Sequence, residues 1–190
     1  MKTATLRLAA AAALSFGAIT AGAAEFTSID QTASRVTFQY AQMGVGMDGS
    51  FARFSARLKF DPAHPEAGHA TLEIPLASID TGSTEGNEEV KAKNWFNTAV
   101  HPVARFESTS FKALGDNHYE VAGKLTIKGQ ARAVTAPFTF EPQGKTATVK
   151  GSFELKRNDF AIGEGEWADT TIVADEIRIN FQLRALQTAP

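Results

Sequence analysis

Apolar and polar residues alternate along most of the chain from about residue 35 onward. In the segment RVTFQY, Val36, Phe38 and Tyr40 fall on one side, and Thr37 and Gln39 fall on the other. A period of two residues is the pattern of a β-strand that buries one face. Similar segments recur to the end of the chain, separated by short turns such as LGDN, IKGQ and PQGK. The pattern predicts about eight strands.

The alternation is interrupted at one phase break and in two longer segments. Phe51 is out of phase with Phe54, which predicts a bulge or bend between them. The charged segment 85–97 predicts one short surface helix. The acidic segment 158–171 contains glycine and predicts a long loop.

The predicted elements indicate an all-β fold in a single domain. Eight antiparallel strands joined by short turns fit an extended up-and-down barrel, with a two-sheet sandwich as the alternative. A barrel of this size either fills its interior with side chains or holds one small ligand. The pattern of residues alone leaves both outcomes open.

Residues 1–24 are predicted to be a cleaved secretory signal peptide. Lys2 and Arg7 precede an apolar run over 8–19, which ends in the small residues AGAA. A positive start, a short apolar middle and a small-residue end are typical of such peptides. The run is shorter than the about 20 apolar residues that span a membrane, although a retained anchor is the alternative. Cleavage would leave 25–190 as one exported domain.

Charge and composition exclude several classes of protein. The formal net charge is −2, and loss of the two positive charges of Lys2 and Arg7 makes it −4. A mildly acidic chain without a basic stripe argues against nucleic acids and anionic membrane surfaces as partners. The sequence contains no cysteine, which excludes disulfides, thiol catalysis and thiolate metal sites.

The histidines do not indicate a metal or catalytic site. His64, His69, His101 and His118 lie in or beside turns, and none is paired at the spacing of ligands on one element. His101 precedes Pro102, which favours an extended strand entry. No GxSxG nucleophile motif is present. We therefore predict no metal, no catalytic residues and no enzymatic activity.

The aromatic residues are mostly phenylalanine, with 14 Phe against 2 Tyr and 2 Trp. Most of these phenylalanines have the inward parity. Phenylalanine supplies apolar area without a polar group, whereas a sugar or nucleotide cavity would need inward polar side chains. A cavity in this barrel would suit a long hydrocarbon, and a packed phenylalanine-rich core is the alternative.

Four segments resemble the YceI-like family of bacterial secreted proteins: GVGMDGSFARFSARLKFDPAHPEA, SIDTGSTEGNEEVKAKNWFNTAVHPVARFESTSF, VAGKLTIKGQARAVTAPFTF and LKRNDFAIGEGEW. With the signal peptide, the resemblance covers essentially the whole of 25–190 in order. It implies an extended, eight-stranded, lipocalin-like barrel in the periplasm. Its tunnel would bind a polyisoprenoid chain, such as that of an isoprenoid quinone or a polyprenyl phosphate. No cofactor is expected besides this lipid, and a homodimer is a candidate assembly.

This resemblance and the inward parity together imply a set of binding residues. The predicted tunnel lining consists of Phe38, Tyr40, Phe54, Leu58, Phe60, Leu72, Ile74, Phe106, Leu125, Phe138, Phe140, Phe153, Ile179 and Phe181. Four aromatic residues are expected near the tunnel mouth or closing an end: Trp95, Phe96, Phe160 and Trp167. The chain length and head group of the lipid stay open, as does the number of open ends.

Three positions depart from the family pattern and bear on any shared head-group site. Gln42 stands where many members have a histidine. Glu89-Val90 stand where a histidine often precedes a leucine, and Asn97 stands where an acid is frequent.

Two other functions are alternatives to lipid binding. The first is an isomerase or cyclase acting on a lipid-like substrate, for which Arg157, Asp159 and Glu166 are the nearest titratable candidates. The second is a stress-related interaction protein with a filled core, whose partners bind loops around Trp95 or Trp167.

Overall fold

The computed structural model describes residues 25–187, so the predicted signal peptide lies outside the described residues. One α-helix, α1, spans Thr84–Glu89. Ten antiparallel strands form a single sheet, and short 3-10 turns span Pro65–Ala67, Leu76–Ser78, Arg157–Phe160 and Gly165–Trp167. The strands are β1 Phe26–Gln42, β2 Val45–Phe51, β3 Ser55–Lys59, β4 His69–Pro75, β5 Ile79–Asp80, β6 Val103–Gly115, β7 His118–Ile127, β8 Gln130–Gln143, β9 Thr146–Lys156 and β10 Glu176–Gln187.

The sheet curls into a barrel in which ten strands make eight passes of the chain. The neighbours run β3-β4-β6-β7-β8-β9-β10-β1-β2-β5. β2 and β3 are consecutive parts of one pass, and β4 and β5 are consecutive parts of the next. These two passes pair with each other twice, β3 with β4 and β2 with β5. The all-β barrel is therefore confirmed, and the predicted count of eight strands corresponds to the passes rather than the strands.

The two split passes have local causes. β2 ends at Phe51 and β3 begins at Ser55, which confirms the bend predicted between Phe51 and Phe54. In the other pass, Pro75 ends β4 and a 3-10 turn over Leu76–Ser78 precedes β5. Proline has no backbone N–H to donate to a neighbouring strand, so it ends the ladder at this point.

β1 contains a wide bulge that resets its inward parity. Its register with β10 shifts between Asp30 and Arg35. The Asp30 carboxylate accepts from the Thr32 hydroxyl at 2.7 Å and from the backbone N–H groups of Ala33 and Thr32 at 3.2 and 3.1 Å. These hydrogen bonds lower its pKa, the one from the Thr32 hydroxyl most. Ile29 and Val36 are both buried although they lie seven positions apart. The alternation read from Val36 onward therefore does not extend upstream.

The helix is shorter than the segment 85–97 predicted for it. α1 covers six residues, and the Ser83 hydroxyl caps it by accepting from the Gly86 N–H at 3.0 Å. After Glu89 the backbone tightens into turns, because the Lys91 N–H donates to the Glu88 carbonyl three residues back. Segment 90–97 is consequently a series of turns.

Buried side chains form two clusters at opposite ends of the barrel. The end that contains the β6–β7 and β8–β9 turns, called here the phenylalanine end, holds Phe26, Phe60, Phe111, Tyr119, Phe138 and Phe140. The other end, called here the tryptophan end, lies beside α1 and holds Val36, Leu76, Trp95, Phe160, Ile162 and Val173. The space between the two clusters is the interior of the barrel.

Candidate functional site

The barrel encloses a cavity of about 620 Å³, within the range of about 300–1,000 Å³ typical of small-molecule sites. Inward side chains of the strands form most of its wall. Thirteen of the fourteen predicted lining residues lie on this wall: Phe38, Tyr40, Leu58, Phe60, Leu72, Ile74, Phe106, Leu125, Phe138, Phe140, Phe153, Ile179 and Phe181. The fourteenth, Phe54, lies in the bend between β2 and β3 and packs, half-buried, against the tryptophan-end cluster.

The predicted mouth residues divide in a similar way. Trp95, Phe96 and Trp167 line the cavity. Phe160 instead is fully buried within the 3-10 turn Arg157–Phe160 and does not contribute to the wall. Phe160 belongs to the buried cluster at the tryptophan end.

Three glycines let phenylalanine rings lie flat against the barrel wall. A Cβ on Gly49 would lie 2.1 Å from Phe38 Cζ, and one on Gly123 would lie 2.4 Å from Phe106 Cε2. A Cβ on Gly151 would lie 2.5 Å from Phe181 Cζ. The inward glycines therefore help to keep the rings out of the lumen.

The phenylalanine end of the cavity is filled by rings. Phe26, Phe60 and Phe140 are each 1% exposed. The Phe60 and Phe140 centroids lie 4.9 Å apart, and Phe26 meets Phe140 edge-on at 5.0 Å. Tyr119 also meets Phe60 edge-on, at 5.2 Å. Such edge-to-face packing is favourable for aromatic side chains. These packed rings close the phenylalanine end of the cavity and are called here its floor.

The cavity reaches the protein surface beside α1. Ser83 and Glu85 are exposed and also belong to the cavity wall. Glu89 and Thr81 lie on the same part of the wall, and the Tyr40 hydroxyl donates to the Thr81 carbonyl at 3.1 Å. Burial raises the pKa of Tyr40, so its hydroxyl stays protonated at neutral pH. Sequence patterning missed Thr81, Ser83, Glu85 and Glu89 because they lie outside the alternating strands.

A buried arginine organises the tryptophan end. Arg157 is 1% exposed, and its guanidinium donates to the backbone carbonyls of Ile162, Gly163, Trp167, Val173 and Ala174 at 2.8 to 3.1 Å. Burial lowers its pKa, and nearby Asp175 opposes that change. An arginine in this setting stays charged. The side chain thus holds the loop after β9 in one shape.

The two tryptophans lie side by side next to this arginine. Their ring centroids are 5.5 Å apart, and the Arg157 guanidinium carbon lies 5.9 Å from the Trp95 centroid. The Asn94 carbonyl accepts from the N–H groups of Gly163 and Glu164, both at 2.8 Å, which joins the two loops that carry the rings. Both indole Nε1 atoms are shielded from water and have no hydrogen-bond partner.

The residues proposed for an enzymatic alternative are not arranged for proton transfer. Arg157 lines the cavity, but all three of its side-chain nitrogens already donate to protein oxygens. Asp159 and Glu166 are exposed residues outside the cavity wall.

The histidines lie outside the cavity wall. His64 pairs with Asp61 at 3.0 Å on the surface, and His118 contacts the Asp116 carbonyl at 2.8 Å. Within residues 25–187, no three His, Cys, Asp or Glu side chains come together as ligands for a metal ion. No helix in the same range has the length and apolar character needed to cross a membrane.

Known proteins resemble this chain in sequence and in fold. Protein YceI of Escherichia coli is 33% identical over 164 residues, covering 80% of this chain and 83% of the relative. The crystal structure of Burkholderia cenocepacia BcnA superposes with a TM-score of 0.81 at 44% identity, covering 83% of this chain and 99% of that chain.

A second solved structure shares the fold at low identity. It is a polyisoprenoid binding domain from Saccharophagus degradans, described as implicated in plant cell wall breakdown, with a TM-score of 0.68 and 18% identity. It covers 86% of this chain and 99% of its own. The family model of the YceI-like domain matches residues 28–185, nearly the whole barrel. The chain therefore belongs to the YceI-like domain family.

Proposed function

We propose that this protein is a periplasmic carrier that holds a polyisoprenoid lipid, of the isoprenoid quinone or polyprenyl phosphate type, inside its barrel. The observation that carries the proposal is the cavity, whose wall is formed mainly by apolar strand residues and whose floor is the phenylalanine end. The polyisoprenoid binding domain from Saccharophagus degradans, which has the same fold, supports this class of ligand.

The size of the cavity suits the end of an isoprenoid chain. A water molecule takes about 30 Å³ in the liquid, and a methylene group is of similar size, so 620 Å³ corresponds to roughly 20 carbon atoms, or about four isoprene units. Each methylene transferred from water contributes about 0.8 kcal/mol. Binding is thus driven by burial of hydrocarbon rather than by specific polar contacts along the chain.

We propose binding rather than catalysis. The nitrogens of Arg157, the buried cation on the wall, are engaged by backbone carbonyls and the Asn158 side chain, so they are not available for proton transfer. Incubation with an isoprenoid lipid should therefore return the lipid with its mass unchanged and its double bonds in place. Turnover of the lipid would contradict this part of the proposal.

The decisive experiment is the analysis of lipid that copurifies with the protein. The full-length chain is expressed in a quinone-containing bacterium, purified without detergent, extracted with organic solvent and analysed by mass spectrometry. About one isoprenoid molecule per protein is expected. Purified protein that contains no lipid and also refuses added isoprenoid lipid would overturn the proposal.

A pair of variants tests whether the barrel interior is the binding site. Phe153→Arg places a charge on the cavity wall, and burial of an unpaired charge is strongly unfavourable, so lipid loading should be lost. Thr135→Arg introduces the same side chain at an exposed position on β8, and loading should be retained. Circular dichroism identifies any variant that fails to fold. Equal loading of two folded variants would show that the lipid binds elsewhere.

Export is tested separately from binding. The protein should appear in the periplasmic fraction with an N-terminus near Glu25. An intact Met1 on the mature protein would contradict cleavage of residues 1–24.

A further inference from the structure

We propose that the indole N–H groups of Trp95 and Trp167 bind the oxygen of a neutral lipid head group at the tryptophan end of the cavity. The cargo would therefore carry a carbonyl or hydroxyl oxygen rather than a phosphate. This inference rests on the proposed function, because it assigns the head group of the same lipid.

The two indole nitrogens are donors without acceptors. Each Nε1 atom is shielded from water and lacks a hydrogen-bond partner, and Trp95 as a residue is only 7% exposed. A buried tryptophan N–H normally finds a partner, because leaving it unpaired costs free energy. Both residues line the cavity, but their Nε1 atoms do not face its open space, so a ligand supplies the missing acceptor only when the indole rings turn toward the lumen.

The arrangement of the rings suits a shared ligand oxygen. The centroids lie 5.5 Å apart with the planes tilted by 54°, and a carbonyl or hydroxyl oxygen has two lone pairs that accept from two donors. Because the nitrogens are shielded from water, the head group must reach them through a rotation of the indole rings. The Asn94 carbonyl joins the two loops that carry these residues.

The orientation of the lipid follows from the difference between the two ends. Among the described residues, the unpartnered buried side-chain polar atoms are those of Trp95 and Trp167. The opposite floor consists of phenylalanine rings around Phe60 and Phe140, and the Tyr119 hydroxyl beside them already donates to the Pro62 carbonyl at 3.5 Å. These aromatic rings offer area to hydrocarbon and no free donor to a head group. The tail therefore points toward the phenylalanine end, and the head lies near the opening beside α1.

The charges on the wall disfavour an anionic head. Glu85 and Glu89 line the cavity beside α1, and a phosphate at this end would meet both carboxylates. Arg157 is the cation on the cavity wall at this end, but its nitrogens already donate to protein oxygens. Arg57 belongs to β3, the strand that leads to the phenylalanine end. A dipolar oxygen without net charge fits this environment best.

The two indoles provide a direct test, because they are the only tryptophans in the chain. A ¹⁵N-labelled protein gives two indole N–H signals, which are followed during titration with three probes. The probes are an isoprenoid benzoquinone with about four isoprene units, a hydrocarbon of similar length such as squalene, and a polyprenyl monophosphate. The quinone should move both signals downfield, the direction of a stronger hydrogen bond, while the hydrocarbon should leave the proton shifts nearly unchanged.

Variants separate hydrogen bonding from packing. Trp95→Phe keeps an aromatic ring and removes the N–H, so affinity for the quinone should fall roughly two- to tenfold, the range expected for one hydrogen bond. Affinity for squalene should stay within about twofold, and Trp167→Phe should behave alike. Phe96→Leu is the matched control, because it changes apolar area on the same wall and should weaken both ligands equally.

Each remaining result counts against a different claim. An equal loss of quinone and squalene affinity in Trp95→Phe would overturn the donor role of the indoles. Monophosphate binding as tight as quinone binding would overturn the preference for a neutral head. Binding of squalene without binding of the quinone would overturn this inference and leave the proposed function intact. Binding of none of the three probes by the wild-type protein would overturn both.

Discussion

Gly151 should not tolerate even a methyl group, although it lies in a regular strand. It pairs with Phe138 of β8 on one side and with Phe181 of β10 on the other. A Cβ at this position would lie 2.5 Å from Phe181 Cζ, 2.5 Å from the Pro137 carbonyl oxygen and 2.9 Å from Phe138 Cβ. Gly151→Ala is therefore a minimal overpacking of the barrel wall.

The magnitude follows from which of these atoms can move. The Phe181 ring can shift toward the lumen, but the Pro137 oxygen belongs to the backbone, so the strand itself must also yield. Overpacking of this kind costs about 1–3 kcal/mol. Replacing glycine also reduces the conformational freedom of the unfolded chain, which stabilises the folded protein by about 0.4–1 kcal/mol. We expect Gly151→Ala to lower the free energy of unfolding by about 1–2 kcal/mol and to reduce lipid loading.

Gly46→Ala is the matched control for this variant. Gly46 lies in β2, has no atom within 4 Å of an added Cβ and does not need a positive φ. Its replacement should leave stability unchanged or raise it slightly. Urea unfolding measures the free energy of unfolding of both variants, together with its dependence on urea concentration. Mass spectrometry measures their lipid content. If Gly151→Ala matched Gly46→Ala in stability and loading, the glycine–phenylalanine contacts would not shape the cavity.

Further predictions concern the His64–Asp61 pair on the surface, the contacts of Arg157 with the loop after β9, and the fluorescence of the two tryptophans. The hydrogen bond and charge of Asp61 raise the pKa of His64 above 6.5, and the pKa of Asp61 falls below 3.8. The His64 contribution to stability is thus present below pH 6.5 and lost as the pH rises through its raised pKa; the Asp61 contribution is lost at acid pH. In an NMR titration, Asp61→Asn should return the His64 pKa to its ordinary range, and an unchanged value would contradict the pairing. Arg157→Met should lower the free energy of unfolding by about 3 kcal/mol or more in urea, because several buried carbonyls lose their donor; a loss below about 1 kcal/mol would contradict its role in holding the loop. Quinone binding should quench most of the tryptophan emission, whereas emission unaffected by bound quinone would place the ligand away from the pair.

The alternation of residues was sufficient to predict most of the cavity wall. Strands with one buried face present every second residue to the interior, so Phe106, Leu125 and Ile179 could be placed without a structure. The same rule failed at Phe54, because the bend between β2 and β3 changes which residues face inward. It also could not extend into the first part of β1, where the Asp30 bulge resets the parity.

The tryptophan end was much harder to predict, because its residues do not follow a period. From the sequence, Arg157 is named only as a titratable candidate for the enzymatic alternative, and its full burial is not predicted. The loop that follows Arg157 supplies the backbone carbonyls that accept from its guanidinium. The local sequence pattern does not predict this arrangement of carbonyls. A helix was predicted over segment 85–97, but turns follow Glu89. These turns place Val90 and Trp95 against the barrel interior.

The types of aromatic residue differ between the two ends of the barrel, and this difference fits the roles proposed for each end. Phe60 and Phe140 fill their end because a phenylalanine ring needs no hydrogen-bond partner and can be buried completely. A tryptophan placed there would leave its N–H unpaired among rings, with no part of a lipid tail able to accept it. At the opposite end, Trp95 and Trp167 carry that unpaired group, and the Arg157 guanidinium lies over Trp95. An unpaired donor is unfavourable in a merely structural core, but under the proposal made above it is an advantage, because the ligand would bring an oxygen to this end.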